Sequence, residues 1–104
     1  MARSFAALAD PVRLSILERL RESDATITEL SQALGVAPPS VSKHVSVLSE
    51  SGFVTKCVEA QRRRCSLSVQ GFSRLAEWSA HYESVWRDRL SNLDDALQEL
   101  EERE

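Results

Sequence analysis

The chain has 104 residues, a formal net charge of −3, 42% hydrophobic and 28% charged residues, a balance that fits one globular domain rather than a disordered or membrane-spanning chain. Its apolar stretches are only a few residues long and the Met1-Ala2-Arg3-Ser4 start has no signal-peptide core, so a cytoplasmic location with no membrane partner is expected. Two cysteines and three glycines in so short a chain leave neither a disulfide framework nor room for an enclosed substrate cleft, and an enzyme is not expected.

Asp10 followed by Pro11 is a helix start, an N-cap acceptor ahead of a proline whose missing N–H costs nothing in the first turn. Val12, Ile16, Leu17 and Leu20 recur at helical spacing, and the helix is expected to end near Glu22. Thr26 and Glu29 have capping-box spacing, with Ile27, Leu30 and Leu34 as the buried stripe. Gly35 suits the left-handed helix end and leaves three residues of connection to the next helix. That helix, from Pro38 to Glu50, puts Val41, Val45 and Leu48 on one face. Pro39, Lys43 and Ser46 lie opposite, flanked by Ser40 and Ser42, a face of mostly small polar groups that a groove can admit. Gly52 closes it.

Residues 53–58 and 65–69 are short and rich in β-branched side chains, and they predict a hairpin whose tip falls within residues 59–64. Without Asn-Gly or Asp-Gly, its turn type and register stay open. From Phe72 onward there is neither proline nor glycine, and Leu75, Trp78, Tyr82, Val85, Trp86, Leu90, Leu93, Leu97 and Leu100 mark one long helix. Steps of four, three, four and three residues from Trp86 to Leu100 average the 3.5-residue seam of paired helices. From Phe72 to about Leu97 such a helix is roughly 39 Å long, more than a small domain covers, so part of the stripe needs a partner. Only the acidic end reads as a fraying tail.

Charge is unevenly spread. Residues 1–75 carry ten Lys/Arg against seven Asp/Glu, and residues 76–104 three against nine. Phosphates respond to the local patch within a Debye length of ~8 Å, here Arg62-Arg63-Arg64, so an acidic chain is compatible with a nucleic-acid partner. Helix, tight connection, serine-faced helix and basic hairpin in that order make a winged helix-turn-helix: mainly α with a small β-hairpin and a long C-terminal helix. A helix with short side chains fits a major groove ~12 Å wide while a basic hairpin reaches along the backbone.

The segments Ala7-Leu8-Ala9-Asp10-Pro11-Val12-Arg13, Leu30-Ser31-Gln32-Ala33-Leu34-Gly35-Val36, Val41-Ser42-Lys43-His44-Val45-Ser46-Val47-Leu48, Gly52-Phe53-Val54 and Arg62-Arg63-Arg64 resemble the ArsR family of bacterial transcriptional repressors, over roughly Phe5 to Leu97. The resemblance implies a homodimer on a palindromic operator in double-stranded DNA, often at the protein's own promoter. Its first and last helices, about 3–9 and 72–98, would pair through Phe5, Leu8, Trp78, Tyr82, Val85, Trp86, Leu90, Leu93 and Leu97, with a DNA-reading part of about 26–69. Carried over by position, Ser40, Ser42, Lys43, His44 and Ser46 are the candidate DNA-facing residues of the recognition helix. Arg62, Arg63 and Arg64 belong on or near the wing, where strand alternation aims two of the three at DNA.

Each assignment has a plainer counterpart. Any one serine reads equally as solvent-exposed, His44 borders the apolar stripe and reads equally as structural, and Gln32 is more simply solvated. Arg13 is expected to be structural, pairing with an acid such as Glu18, rather than to reach a phosphate. No cofactor or metal is expected: residues 29–32 lack the Cys-x-Cys of thiolate sensors, and His81 with Glu77 and Asp88 makes a weak zinc set. A register centred on Gln61 would set Cys57 opposite Cys65 and permit a thiol switch, with neighbouring arginines favouring the thiolate. Two small reduced side chains are the simpler expectation. Trp78, Tyr82 and Trp86 lining an inducer pocket is likewise secondary to packing, and no inducing signal can be read from the sequence. A protein-docking module on the same fold is opposed by the wing arginines. The serines beside His44 have no positioned acid and no oxyanion hole, so no catalytic set forms.

Overall fold

The computed structural model describes residues 2–103, with side chains described for 3–102. Residues up to Ser73 form one compact unit and those from Arg74 onward a second. The first holds α1 (Ala2–Leu8), α2 (Pro11–Glu22), β1 (Ala25–Thr26), α3 (Ile27–Leu34), α4 (Pro38–Glu50), β2 (Val54–Glu59), β3 (Arg62–Leu67) and the start of α5 (Val69–Arg103).

Helix α2 begins, and α3 both begins and ends, where the sequence provides caps. The Asp10 carboxylate accepts from the Val12 and Arg13 amides at 2.8 and 3.1 Å, satisfying two donors that the first turn of α2 leaves open. Thr26 and Glu29 form the reciprocal capping box of α3, and Gly35 ends that helix at φ 66°. Gly35, Val36 and Ala37 make the three-residue connection to α4. Ile16, Leu17 and Leu20 of α2, Leu30 of α3, Val41, Val45 and Leu48 of α4, and Phe53, Val54 and Cys65 of the sheet are buried together as the core. Val12, Ile27 and Leu34 are half-buried at its margin.

The sheet departs from the expected hairpin in two ways. It has three strands in the order β1-β3-β2, because Ala25 and Thr26 pair antiparallel with Cys65 and Arg64. Two residues carry no periodicity, and Thr26 also caps a helix, so nothing in the sequence marks β1. The tip is the two-residue turn Ala60-Gln61, with φ of 44° and 71°, the pair of positive values that a type I′ turn requires. The strands therefore reach further toward each other than expected, and all three arginines lie within β3 rather than in a loop.

That turn fixes the register: Cys57 pairs with Arg64, and Cys65 with Lys56. Because strand residues alternate between faces, Cys57 and Cys65 lie on opposite sides of the ribbon, one exposed and one buried. The cross-strand cysteine pair that a register centred on Gln61 would create does not form. Burial, the largest influence, also pushes the Cys65 thiol upward, outweighing the opposing effect of Lys56 and Arg63. The expectation of an arginine-favoured thiolate is overturned there.

α5 begins three residues earlier than expected and takes in Gly71, whose amide donates to the Gly52 carbonyl at 2.8 Å. A Cβ on Gly71 would sit 2.6 Å from that carbonyl oxygen and 2.9 Å from the Phe53 ring. Phe53 packs edge-on against Phe72, with centroids 4.9 Å apart. In an open helix, Gly→Ala gains up to about 1 kcal/mol. At Gly71 the clash with backbone reverses the sign: Gly71→Ala is expected to destabilise by about 1–3 kcal/mol, read as a lower urea midpoint at unchanged m-value.

In the second unit α5 runs on through Arg103, so the acidic stretch expected to fray is helical over its described residues. Trp78 and Tyr82 stack at 4.7 Å, one helical turn apart. Tyr82, Trp86, Leu90, Leu93 and Leu97 are all about half exposed, with Leu100 at 59%. Glu77, His81 and Asp88 share a face but span eleven residues, about 16 Å along the axis, too far to meet at one ion. Among the described residues no group of three or more His, Cys, Asp or Glu is placed to hold a metal, and no helix is long and apolar enough to cross a membrane.

Candidate nucleic-acid interface

The recognition helix α4 is anchored by its buried stripe, which turns the other residues outward. Ser40 and Lys43 are exposed, while Ser42, His44 and Ser46 are half-buried at the edges. Pro38 and Pro39 open the helix, where their missing amides would have found no partner in any case.

A groove of about 600 Å³ lies beside the start of α4, lined by Glu29 of α3, Pro39 and Ser42 of α4, and Gln61, Arg62 and Arg63 of the wing. Thr26 hydrogen bonds hold the Glu29 carboxyl below its ordinary range, and this carboxylate stands at the rim. Arg62 and Arg63 are exposed. Arg64 shares its face of the ribbon with Arg62 and is engaged there, with Nε 3.4 Å from Glu59 Oε2. The three arginines thus divide into two available cations and one neutralised in place.

Two further cations hold α4 itself. Lys56 Nζ donates to Ser46 Oγ at 3.2 Å, tying β2 to the recognition helix. Lys56 was not among the expected site residues, although period-two alternation from buried Val54 places it on the inward face. Arg13 behaves differently from the expected partner of Glu18. Its Nε donates to Ala7 O at 2.6 Å and its Nη2 to Ala6 O at 3.1 Å, capping α1, while Nη1 lies 3.3 Å from His44 Nδ1. Glu18 pairs instead with Arg21 at 3.7 Å, its i+3 neighbour. The Asp10 carboxylate, held below its ordinary range first by the Arg13 amide, stands 4.0 Å from His44 Nδ1. Gln32 is exposed, as expected.

Of the residues expected at a subunit interface in the first unit, Phe5 is 40% exposed and Leu8 half-buried. In the second, Trp78 and Val85 are half-buried and the remainder exposed.

The comparisons agree with this geometry. A helix-turn-helix domain family matches residues 8–57. The chain is 36% identical over 93 residues to a probable mercury resistance operon repressor of Streptomyces lividans, covering 89% of this chain and 72% of that protein. An ArsR-family transcriptional regulator of known structure superposes with a TM-score of 0.76 at 32% identity, over 83% of this chain and 89% of the other. An ArsR-like regulator from Rhodococcus sp. RHA1 does so at 0.78 and 26% identity, over 88% and 87%. With its serine-faced helix and basic wing set on this frame, the chain belongs to the ArsR family of winged helix-turn-helix, DNA-binding transcriptional repressors.

Proposed function

We propose that the protein represses transcription, its own included, as a homodimer on a palindromic operator. Residues 26–69 of its single winged helix-turn-helix domain read DNA, and helices 3–9 and 72–98 pair the subunits. The observation that carries the reading is the common groove: Pro39 and Ser42 of the recognition helix and Arg62 and Arg63 of the wing border one cleft. A strand of phosphates entering it meets hydroxyl donors on one side and guanidinium groups on the other, with the Glu29 carboxylate at the rim limiting how far it enters on the α3 side. Ser40, Ser42 and Lys43 form the reading face, with His44 and Ser46 at its edges and Arg62 and Arg63 as phosphate clamps. Arg64, paired with Glu59, contributes least. The apolar stripe of α5, half exposed from Tyr82 to Leu97, supports pairing with a second copy.

Fluorescence anisotropy with the duplex upstream of its own gene and a scrambled duplex, across a salt series, tests the reading. Affinity is expected to fall log-linearly with salt at about −0.9 per phosphate neutralised, with the upstream duplex favoured throughout. Ser42→Ala is expected to reduce that preference about tenfold while leaving scrambled DNA nearly untouched. Equal affinity of the native chain for both duplexes would refute operator recognition.

A further inference from the structure

We infer that Arg13, which lies on α2 and outside the reading face, is a positioning residue for His44. It fixes the ring of His44 in the tautomer that keeps a proton on Nε2. A guanidinium has five donors and no acceptor, so the 3.3 Å approach of Arg13 Nη1 to His44 Nδ1 is a hydrogen bond only when Nδ1 is the unprotonated, accepting nitrogen. The neutral ring then carries its proton on Nε2, which becomes a donor for an acceptor such as a phosphate or base-edge oxygen.

Arg13 is itself immobilised. Its other two nitrogens are spent on the Ala7 and Ala6 carbonyls at the end of α1, at 2.6 and 3.1 Å. The planar fork therefore spans three acceptors on two elements, α1 and α4, at once. A lysine has its three N–H donors on one nitrogen and cannot span three separated acceptors as the planar fork does. The competing partner is Asp10, whose Oδ1 lies 4.0 Å from the same Nδ1 and already accepts the Val12 and Arg13 amides. Without Arg13, Nδ1 gains by carrying the proton and turning it toward that carboxylate, and Nε2 becomes an acceptor that a phosphate repels. The His44 side chain is 22% exposed, so the ring is not sealed in the core.

The consequence for recognition rests on the operator-binding reading, whereas the tautomer is a property of the free protein. Nitrogen-15 spectra of the imidazole in mildly alkaline buffer are expected to show the Nε2–H form in the native chain and a shift toward Nδ1–H in Arg13→Ala. In anisotropy, Arg13→Ala is expected to lower the preference for operator over scrambled duplex about tenfold at an unchanged salt slope. Arg13→Lys is expected not to restore it. Adding Arg13→Ala to His44→Ala is expected to cost nothing further, because both act through one ring. Circular dichroism checks folding, and if Arg13→Ala does not fold, Arg13→Lys carries both readouts. An unchanged tautomer, additive losses in the double variant, or a salt slope shallower by about 0.9 per subunit, the mark of a direct phosphate contact, each overturns the proposal. If the native chain discriminates no duplex, operator reading fails, while the spectra still decide the tautomer.

Discussion

Replacing Arg62 and Arg63 together with alanine is expected to abolish tight DNA binding at physiological salt, for operator and scrambled duplex alike. Both guanidiniums are exposed and border the groove beside the start of α4. In a homodimer the double substitution removes four cations. If each neutralises one phosphate, the slope of log affinity against log salt becomes shallower by about 3.6. Arg64→Ala supplies the contrast. Its charge is already matched by Glu59 at 3.4 Å, so its loss is expected to change the slope by less than one phosphate's worth. An Arg64→Ala effect equal to that of Arg62→Ala or Arg63→Ala would mean that the Glu59 pair opens on DNA and that the three arginines act alike.

If the subunits pair through α5 as proposed, truncation after Asp88 is expected to leave monomers at micromolar concentration. The deletion removes Leu90, Leu93, Leu97 and Leu100, all half exposed or more in the single chain. Covering the exposed half of a leucine stabilises by about 1 kcal/mol. Eight such leucines in a pair amount to roughly 8 kcal/mol, nearly six decades in Kd. The first unit holds its own buried core, so the truncated chain is expected to retain cooperative unfolding. Sedimentation equilibrium reads the outcome directly, and intact dimers after truncation would place the subunit contact elsewhere.

Helices α2, α3 and α4 were legible because each carries its punctuation within a few residues. Asp10-Pro11, Thr26 with Glu29, and Gly35 are local signals, and the stripes of α2 and α4 follow from one period. What stayed hidden depends on contacts distant in the chain or on choices the local code leaves free. Ala60 and Gln61 accept positive φ without being the Asn-Gly that announces it, so the register could not be read. β1 exists only because β3 lies beside it. The approach of Arg13 to His44 spans 31 residues, and no periodicity reports it. Gly71 looked like a residue left outside a helix, whereas the Gly52 carbonyl pressed against it explains both its identity and its place inside α5. The cluster of cations was legible by composition, but its partition into free and neutralised members was not, because Arg62 and Arg64 share one side of the ribbon and the Glu59 contact is made by Arg64.

The two-residue turn also constrains how this lineage can change. Adding or deleting one amino acid within either strand would turn every following side chain over. Arg63 would exchange places with its engaged neighbour, and the thiol now shielded in the core would emerge into water. Viable length variation in this ribbon is therefore confined to steps of two, or to the tip itself, so its chemistry is far freer to drift by substitution than by indel.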